Sequence, residues 1–387
     1  MTALRVGVVG VGHLGQHHAR VLAGLPGVQL AGVADANAEQ AHAIGEKHGC
    51  PAYTDFRALL GRVDAVSVAV PTTLHREVAS AFMDHGIPAL VEKPLAGSLA
   101  EAEDLVRLAR RRGVLLQVGH IERFNPALGA IESLRPRPKF IAAERMGVYT
   151  CRSTDIGVVL DLMIHDIDLV LSWVEAPLKS VSAVGLSLFG CHEDVANARL
   201  EFADGCVANL SASRASFQAV RKMWLWAPEG FAALDFAARK ATIVRPSDRA
   251  RRGELDLAGV DFAKPDQVRE HLFKNMFPLE QFEPAGAEPL AVELEEFVRS
   301  VQTGSRPRAT GDDALRAMRV ADQVLHSINT HAWDGHPEGP IGPRELPEPA
   351  LRALPEPPTS PVSSAIPAPK LLRYKSTRSE PAAPADS

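Results

Sequence analysis

The chain has 387 residues, 46% of them apolar and 23% charged, with a formal net charge of −5 and a pI near 6.3. That length fits about two to three domains with ample core, and the mild acidity argues against a nucleic-acid binder, whose phosphate contacts need a basic surface. No apolar run approaches the ~18 residues of a membrane span, no basic leader or small-residue cleavage site precedes the first strand, and the four cysteines form no CxxC pair. A reduced, cytoplasmic protein with no structural zinc and no disulfide framework is therefore expected.

From Met1 to His120 strand and helix patterns alternate. Nearly continuous apolar runs predict strands at Arg5–Val9, Val28–Ala34, Ala65–Val70, Ala89–Val91 and Val114–Val118, as a parallel sheet covered on both faces requires. Helical patterns lie between them at His13–Leu25, Ala36–His48, Leu74–His85 and Leu99–Arg112. The fold class is thus α/β, with an N-terminal doubly wound parallel sheet of Rossmann type over residues 1–121. After Ile121 an apolar helix, Val158–Val174, precedes strand candidates at Val181–Phe189, Ala196–Phe202, Cys206–Ala212, Met223–Ala227, Phe231–Phe236 and Ala241–Val244. Ala203-Asp204-Gly205 is a hairpin signal between two of them. Helices at Leu290–Val301 and Asp312–Ile328 close the folded part, so residues 122–334 read as an α+β domain with a mostly antiparallel sheet. Thirteen of the 29 prolines fall in residues 335–387, which predicts a disordered tail. Its six basic and six acidic residues leave it either idle or docking a partner through Lys370, Arg373, Lys375 and Arg378 around Leu371, Leu372 and Tyr374.

Three stretches carry chemistry. Gly10-Val11-Gly12-His13-Leu14-Gly15 follows the first strand and opens the first helix. Gly10 permits the tight turn, Gly12 lets the backbone approach a pyrophosphate, and Gly15 lets the helix sit close to the sheet, with the amides near His13 and Leu14 as anion donors. Asp35, at the end of the second strand, either accepts the ribose hydroxyls, favouring NAD over NADP, or caps the second helix. His13, His17 and His18 have no acid or cysteine at ligand spacing, so no metal is expected.

Glu92-Lys93-Pro94 ends the strand Ala89–Val91, at the sheet edge where ligands bind in open α/β folds. Lys93 can polarise a substrate hydroxyl there, or be a surface lysine paired with Glu92. In Val158–Val174, Asp161, His165, Asp168 and Ser172 recur at i, i+4, i+7 and i+11, one polar stripe on an otherwise apolar helix. A His and an Asp one turn apart suit a general base with an orienting carboxylate; the alternative is a structural hydrogen-bond network.

Together with Pro71-Thr72-Thr-Leu-His75, these motifs resemble the glucose-fructose oxidoreductase / inositol dehydrogenase / rhizopine catabolism (Gfo/Idh/MocA) family over about Leu4 to Ile328. The resemblance implies an NAD-dependent oxidation of a sugar hydroxyl: Lys93, Asp161 and His165 catalytic, Thr72, His75 and Glu92 near the cofactor. It also implies a second-domain sheet that carries substrate and joins copies into a homo-oligomer. Gly119-His-Ile-Glu-Arg123-Phe-Asn125-Pro126 and the run from Asp155 to Asp168 look like the branch of UDP-N-acetylglucosamine 3-dehydrogenases, which serve lipid A and surface-glycan synthesis. In that reading Arg123 and Arg152 hold the nucleotide-sugar phosphates, Lys93 and His165 the sugar. An ion pair of Arg123 with Glu122 is the alternative for that residue. A free-sugar or inositol dehydrogenase, and a non-enzymatic regulator that senses NAD or a sugar, are the competing functions.

Overall fold

The computed structural model describes residues 3–345 except 133, 135, 151–154, 191, 255–259, 284–285 and 335–338. The first 120 residues build β1 (Leu4–Val9), α1 (Gly15–Gly24), β2 (Val28–Ala34), α2 (Ala38–His48), β3 (Ala52–Tyr53), β4 (Ala65–Val68), α3 (His75–Asp84), β5 (Ala89–Glu92), α4 (Leu99–Arg112) and β6 (Leu116–Gly119). The strands are all parallel, in the order β3-β2-β1-β4-β5-β6. The order reverses between β1 and β4, and that switch point opens the crevice in which doubly wound sheets bind ligands. The observed elements follow the predicted ones closely, with β3 as an additional short strand.

The chain then forms α5 (Ala127–Glu132), β7 (Phe140–Met146) and a π-helical turn, Val159–Met163, that runs directly into α6 (Ile164–Trp173). Next come β8 (Leu178–Ser187), β9 (Val195–Phe202), β10 (Val207–Ser213), β11 (Val220–Ala227), β12 (Gly230–Asp235) and β13 (Lys240–Val244). After these come α7 (Asp248–Arg251), α8 (Pro265–His271), β14 (Leu279–Phe282), α9 (Pro289–Thr303), α10 (Gly311–Thr330) and β15 (Arg344–Glu345). The second sheet runs β14-β13-β12-β11-β7-β10-β9-β8-β15 and is antiparallel except where β10 meets β7 and β15 meets β8.

Three features depart from the sequence reading. β7 lies mid-sheet but was not anticipated, because Arg145 occupies a buried position that apolar alternation should fill. α9 packs Leu290, Leu294 and Phe297 with Val6, Val8 and Leu22, so a segment expected in the second domain completes a face of the first sheet. β15 falls within the stretch expected to be disordered, yet Arg344 and Glu345 pair with Leu186 and Ser187. Ile341 also bridges Ala332, while residues 335–338 and 346–387, including the Lys370–Arg378 patch, lie outside the described residues. Among the described residues no helix is long and apolar enough to cross a membrane.

Candidate active site

The glycine turn sits at the switch point. A Cβ on Gly10, whose φ is +78°, would lie 2.7 Å from the Ala69 and Val70 backbone, and one on Gly15 would lie 1.7 Å from the Gly10 carbonyl oxygen. These two glycines are required by the protein's own packing. A Cβ on Gly12 would meet nothing within 4 Å, so the chain's own packing does not explain that glycine. A dinucleotide pyrophosphate approaching the turn does, and the residues fit one. α1 begins at Gly15, two residues later than predicted, leaving His13 and Leu14 in the turn. The Asp35 carboxylate accepts from the amides of Val11 (2.8 Å) and Asn37 (2.9 Å), while the side-chain cap of α2 is Asn37. Asp35 thus fixes the turn, and as an acceptor-only carboxylate it retains further acceptor capacity.

Lys93 is no surface lysine. Its Nζ donates to the Asp161 carbonyl oxygen (2.6 Å) and to Asp161 Oδ1 (2.9 Å), with the two side chains 14% and 20% exposed. Asp161 lies in the π turn, a wider turn often found at functional sites, and His165 follows one turn on. Burial pushes the His165 imidazole well below its ordinary pKa, and the charges of Lys93, Arg145, His120 and Arg221 push the same way. Burial therefore favours the neutral imidazole, the form whose unprotonated nitrogen can accept a proton. Its Nδ1 is sealed from solvent without a hydrogen-bond partner, which leaves Nε2 as the nitrogen open to the groove. A base, a carboxylate and an ammonium thus converge beside the glycine turn's sheet edge.

Other anticipated residues are engaged elsewhere. Glu92 accepts from His18 Nε2 (2.9 Å) and the Lys93 amide (3.2 Å). Burial works against its charge, but His18 and Lys93 outweigh that and hold its pKa below the usual range. It anchors Lys93's backbone through that amide. His75 is buried with Nδ1 2.8 Å from the Pro94 carbonyl oxygen and Nε2 3.0 Å from the Val70 carbonyl oxygen; burial lowers its pKa, and the neutral ring has one N–H, which donates to one of the two. Thr72 opens the turn Thr72–Leu74 on the same edge and is buried.

Along the polar stripe Asp161 holds Lys93, and His165 feels its charge. Asp168 receives a two-pronged pair from Arg123, at 2.6 and 2.7 Å, and Ser172 donates to the Leu169 carbonyl. Arg123 also donates to the Arg308 carbonyl (2.7 Å). Three of its five N–H donors are thus taken within the protein, and its partner is Asp168, not Glu122. Clefts of about 880 and 610 Å³ flank it behind α6, but the lining Arg306, Arg308 and Arg319 face Asp313, Glu296 and Glu103. Arg152 lies outside the described residues.

Sequence reasoning missed the groups that hold the site. Arg145 makes a two-pronged pair with Asp166 (3.0 and 2.8 Å) and a bond to Glu122 (2.8 Å), all three buried. This locks α6 to β7 and to the turn Ile121–Phe124. Glu193 accepts from the Val159 amide (3.0 Å) with its side chain, and its carbonyl takes Val158 N–H (2.9 Å), capping the π turn from β9's approach. His18 bridges Ser67 (2.8 Å) and Glu92, which leaves it unavailable as a metal ligand. Among the described residues no group of three or more His, Cys, Asp and Glu is placed to hold a metal ion. Charged residues in an apolar context were the available signal for these groups, but their partners are too distant in sequence to pair by inspection.

Comparison with known proteins agrees with this architecture. Residues 4–120 match the family described as an oxidoreductase family with an NAD-binding Rossmann fold, and residues 127–232 match the Gfo/Idh/MocA C-terminal domain. UDP-N-acetylglucosamine 3-dehydrogenase of Acidithiobacillus ferrooxidans is 35% identical over 332 residues, 85% of this chain and 98% of that protein. A solved structure of that enzyme superposes with a TM-score of 0.73 at 33% identity, covering 84% of this chain and 98% of that one. An inositol 2-dehydrogenase of Rhizobium meliloti is 24% identical over 84% of this chain and 97% of its own length.

Proposed function

The chain belongs to the Gfo/Idh/MocA family of NAD(P)-dependent oxidoreductases acting on CH–OH groups, and on that premise we propose that it oxidises a nucleotide-sugar hydroxyl to a ketone. The substrate in this reading is UDP-N-acetylglucosamine, oxidised at C3, or a close relative, within lipid A or surface-glycan synthesis in the cytoplasm. The observation that carries the chemistry is Lys93 Nζ, 2.9 Å from Asp161 Oδ1, one turn from a buried neutral His165. The 35% identity to a UDP-N-acetylglucosamine 3-dehydrogenase supports the substrate.

NAD, when bound, supplies the hydride acceptor. Lys93 donates a hydrogen bond to the reacting oxygen and stabilises the alkoxide as it forms. Asp161 holds the ammonium in place. His165 Nε2 takes the hydroxyl proton. Asp35 accepts the adenosine ribose hydroxyls and disfavours a 2′-phosphate. Residues 1–121 act as the cofactor domain and 122–334 as the substrate domain. A second copy of the chain covers the open face of the long sheet, where Phe140, Trp226 and Phe231 stack at 5.0 and 5.2 Å.

The two-pronged pairing of Arg123 with Asp168 offsets its charge toward a phosphate and favours, as a second reading, oxidation of a free sugar or inositol. Purified protein with NAD and a panel of UDP-sugars and polyols, followed at the NADH absorbance, decides between them. UDP-N-acetylglucosamine should reduce NAD; reduction by polyols alone would replace the nucleotide-sugar reading.

A further inference from the structure

A second imidazole lies beside His165 that the proposed chemistry does not use. Gly119, the last residue of β6, pairs in register with Glu92, so His120 follows it at the same sheet edge as Lys93. Its ring stands edge-on to that of His165, centroids 6.5 Å apart. His120 is 1% exposed, and neither ring nitrogen has a hydrogen-bond partner among the described residues. Leaving such atoms dry and unpaired costs free energy, a cost that packing does not explain. On its far side Nδ1 lies 3.8 Å from Asp168 Oδ2, the carboxylate fixed by Arg123.

We propose that His120 is a positioning residue that receives the substrate proton through His165 and holds it beside Asp168; this rests on the dehydrogenase reading above. The hydroxyl proton passes to His165 Nε2 as the carbon's hydrogen leaves with its electron pair to the oxidised nicotinamide. The proton on His165 Nδ1 moves to a ring nitrogen of His120, whose ring centroid lies 6.5 Å away. His165 ends neutral with its tautomer reversed, and His120 ends as an imidazolium facing the Asp168 carboxylate. The charged groups around His120 are Asp168 on α6, Arg123 on the turn after β6, and Glu92 and Lys93 at the end of β5. Arg145 and Arg221 additionally face His165.

The test uses the full chain with His120→Ala and His120→Asn, the second retaining a polar side chain should the first disturb folding. Turnover of UDP-N-acetylglucosamine with NAD should fall about 10- to 100-fold, less than for loss of a direct base at ~10²–10⁴-fold. KM values should stay within about twofold, and added imidazole should restore kcat in His120→Ala. Nitrogen NMR of the substrate-free protein should show the His165 titration moving upward when His120 is replaced. Wild-type kcat in His120→Asn, or a fall that imidazole does not restore with an unmoved His165 titration, overturns the proposal. If the wild-type chain oxidises no nucleotide sugar, the functional reading fails on its own, and the NMR titration alone decides the coupling: a moved curve supports it and an unmoved curve refutes it.

Discussion

The glycine turn and helix α6 hold polar groups in dry surroundings by opposite means. At the turn the backbone does the work: Gly10 and Gly15 make the close approaches, and Asp35 braces the loop through amides. On α6 and the π turn that leads into it side chains do it, with Arg123 on Asp168, Arg145 on Asp166 and Lys93 on Asp161, each partner brought from another part of the chain. A backbone-built site announces itself locally. A site built from ion pairs is distributed, and removing one member leaves a buried charge behind.

The sharpest break of this comparison is chemical. Lys93→Ala or His165→Ala should lower kcat by roughly 10²–10⁴-fold while NAD affinity, set at the turn, stays unchanged; equal loss of NAD binding would mean the two regions are not separable. Next is stability. Arg145→Met strands Asp166 and Glu122 and should cost about 3–5 kcal/mol in denaturant unfolding, whereas a loss under 1 kcal/mol would show the pairs are not what holds α6.

Within the turn, Gly15→Ala forces backbone apart and should cost about 1–3 kcal/mol or more. Gly12→Ala should leave stability unchanged or raised by up to ~1 kcal/mol yet weaken NAD by about tenfold or more, measured by calorimetric titration. The smallest effect is in pH. Burial holds His75, His120 and His165 below the ordinary imidazole pKa. Below about pH 6.5 the unfolded chain therefore binds more protons than the folded one, and stability should fall as pH drops through that point. For the same reason the acid limb of kcat/KM should lie below pH 6.5.

The pattern of what was legible follows from the same contrast. Period, glycine spacing and the Glu92-Lys93-Pro94 turn located the first sheet, the switch point and Lys93, because those signals are local. Asp161 and His165 were legible as a stripe, but Asp168 and Ser172 share that stripe and serve other partners. Glu92 and His75 carried motif positions yet work inward, on His18 and on a backbone carbonyl, which no spacing rule distinguishes from a cofactor contact. β7 and Arg145 escaped because a buried charge breaks the alternation that identifies strands, and only the folded chain shows that Asp166 and Glu122 compensate it.

A structure of the chain with NAD and UDP-N-acetylglucosamine bound tests the central claim most directly. The account predicts the reacting hydroxyl oxygen within hydrogen-bond distance of both Lys93 Nζ and His165 Nε2, with the nicotinamide ring against the same carbon. A sugar seated away from these groups, or a His165 ring turned from the nicotinamide, would contradict it.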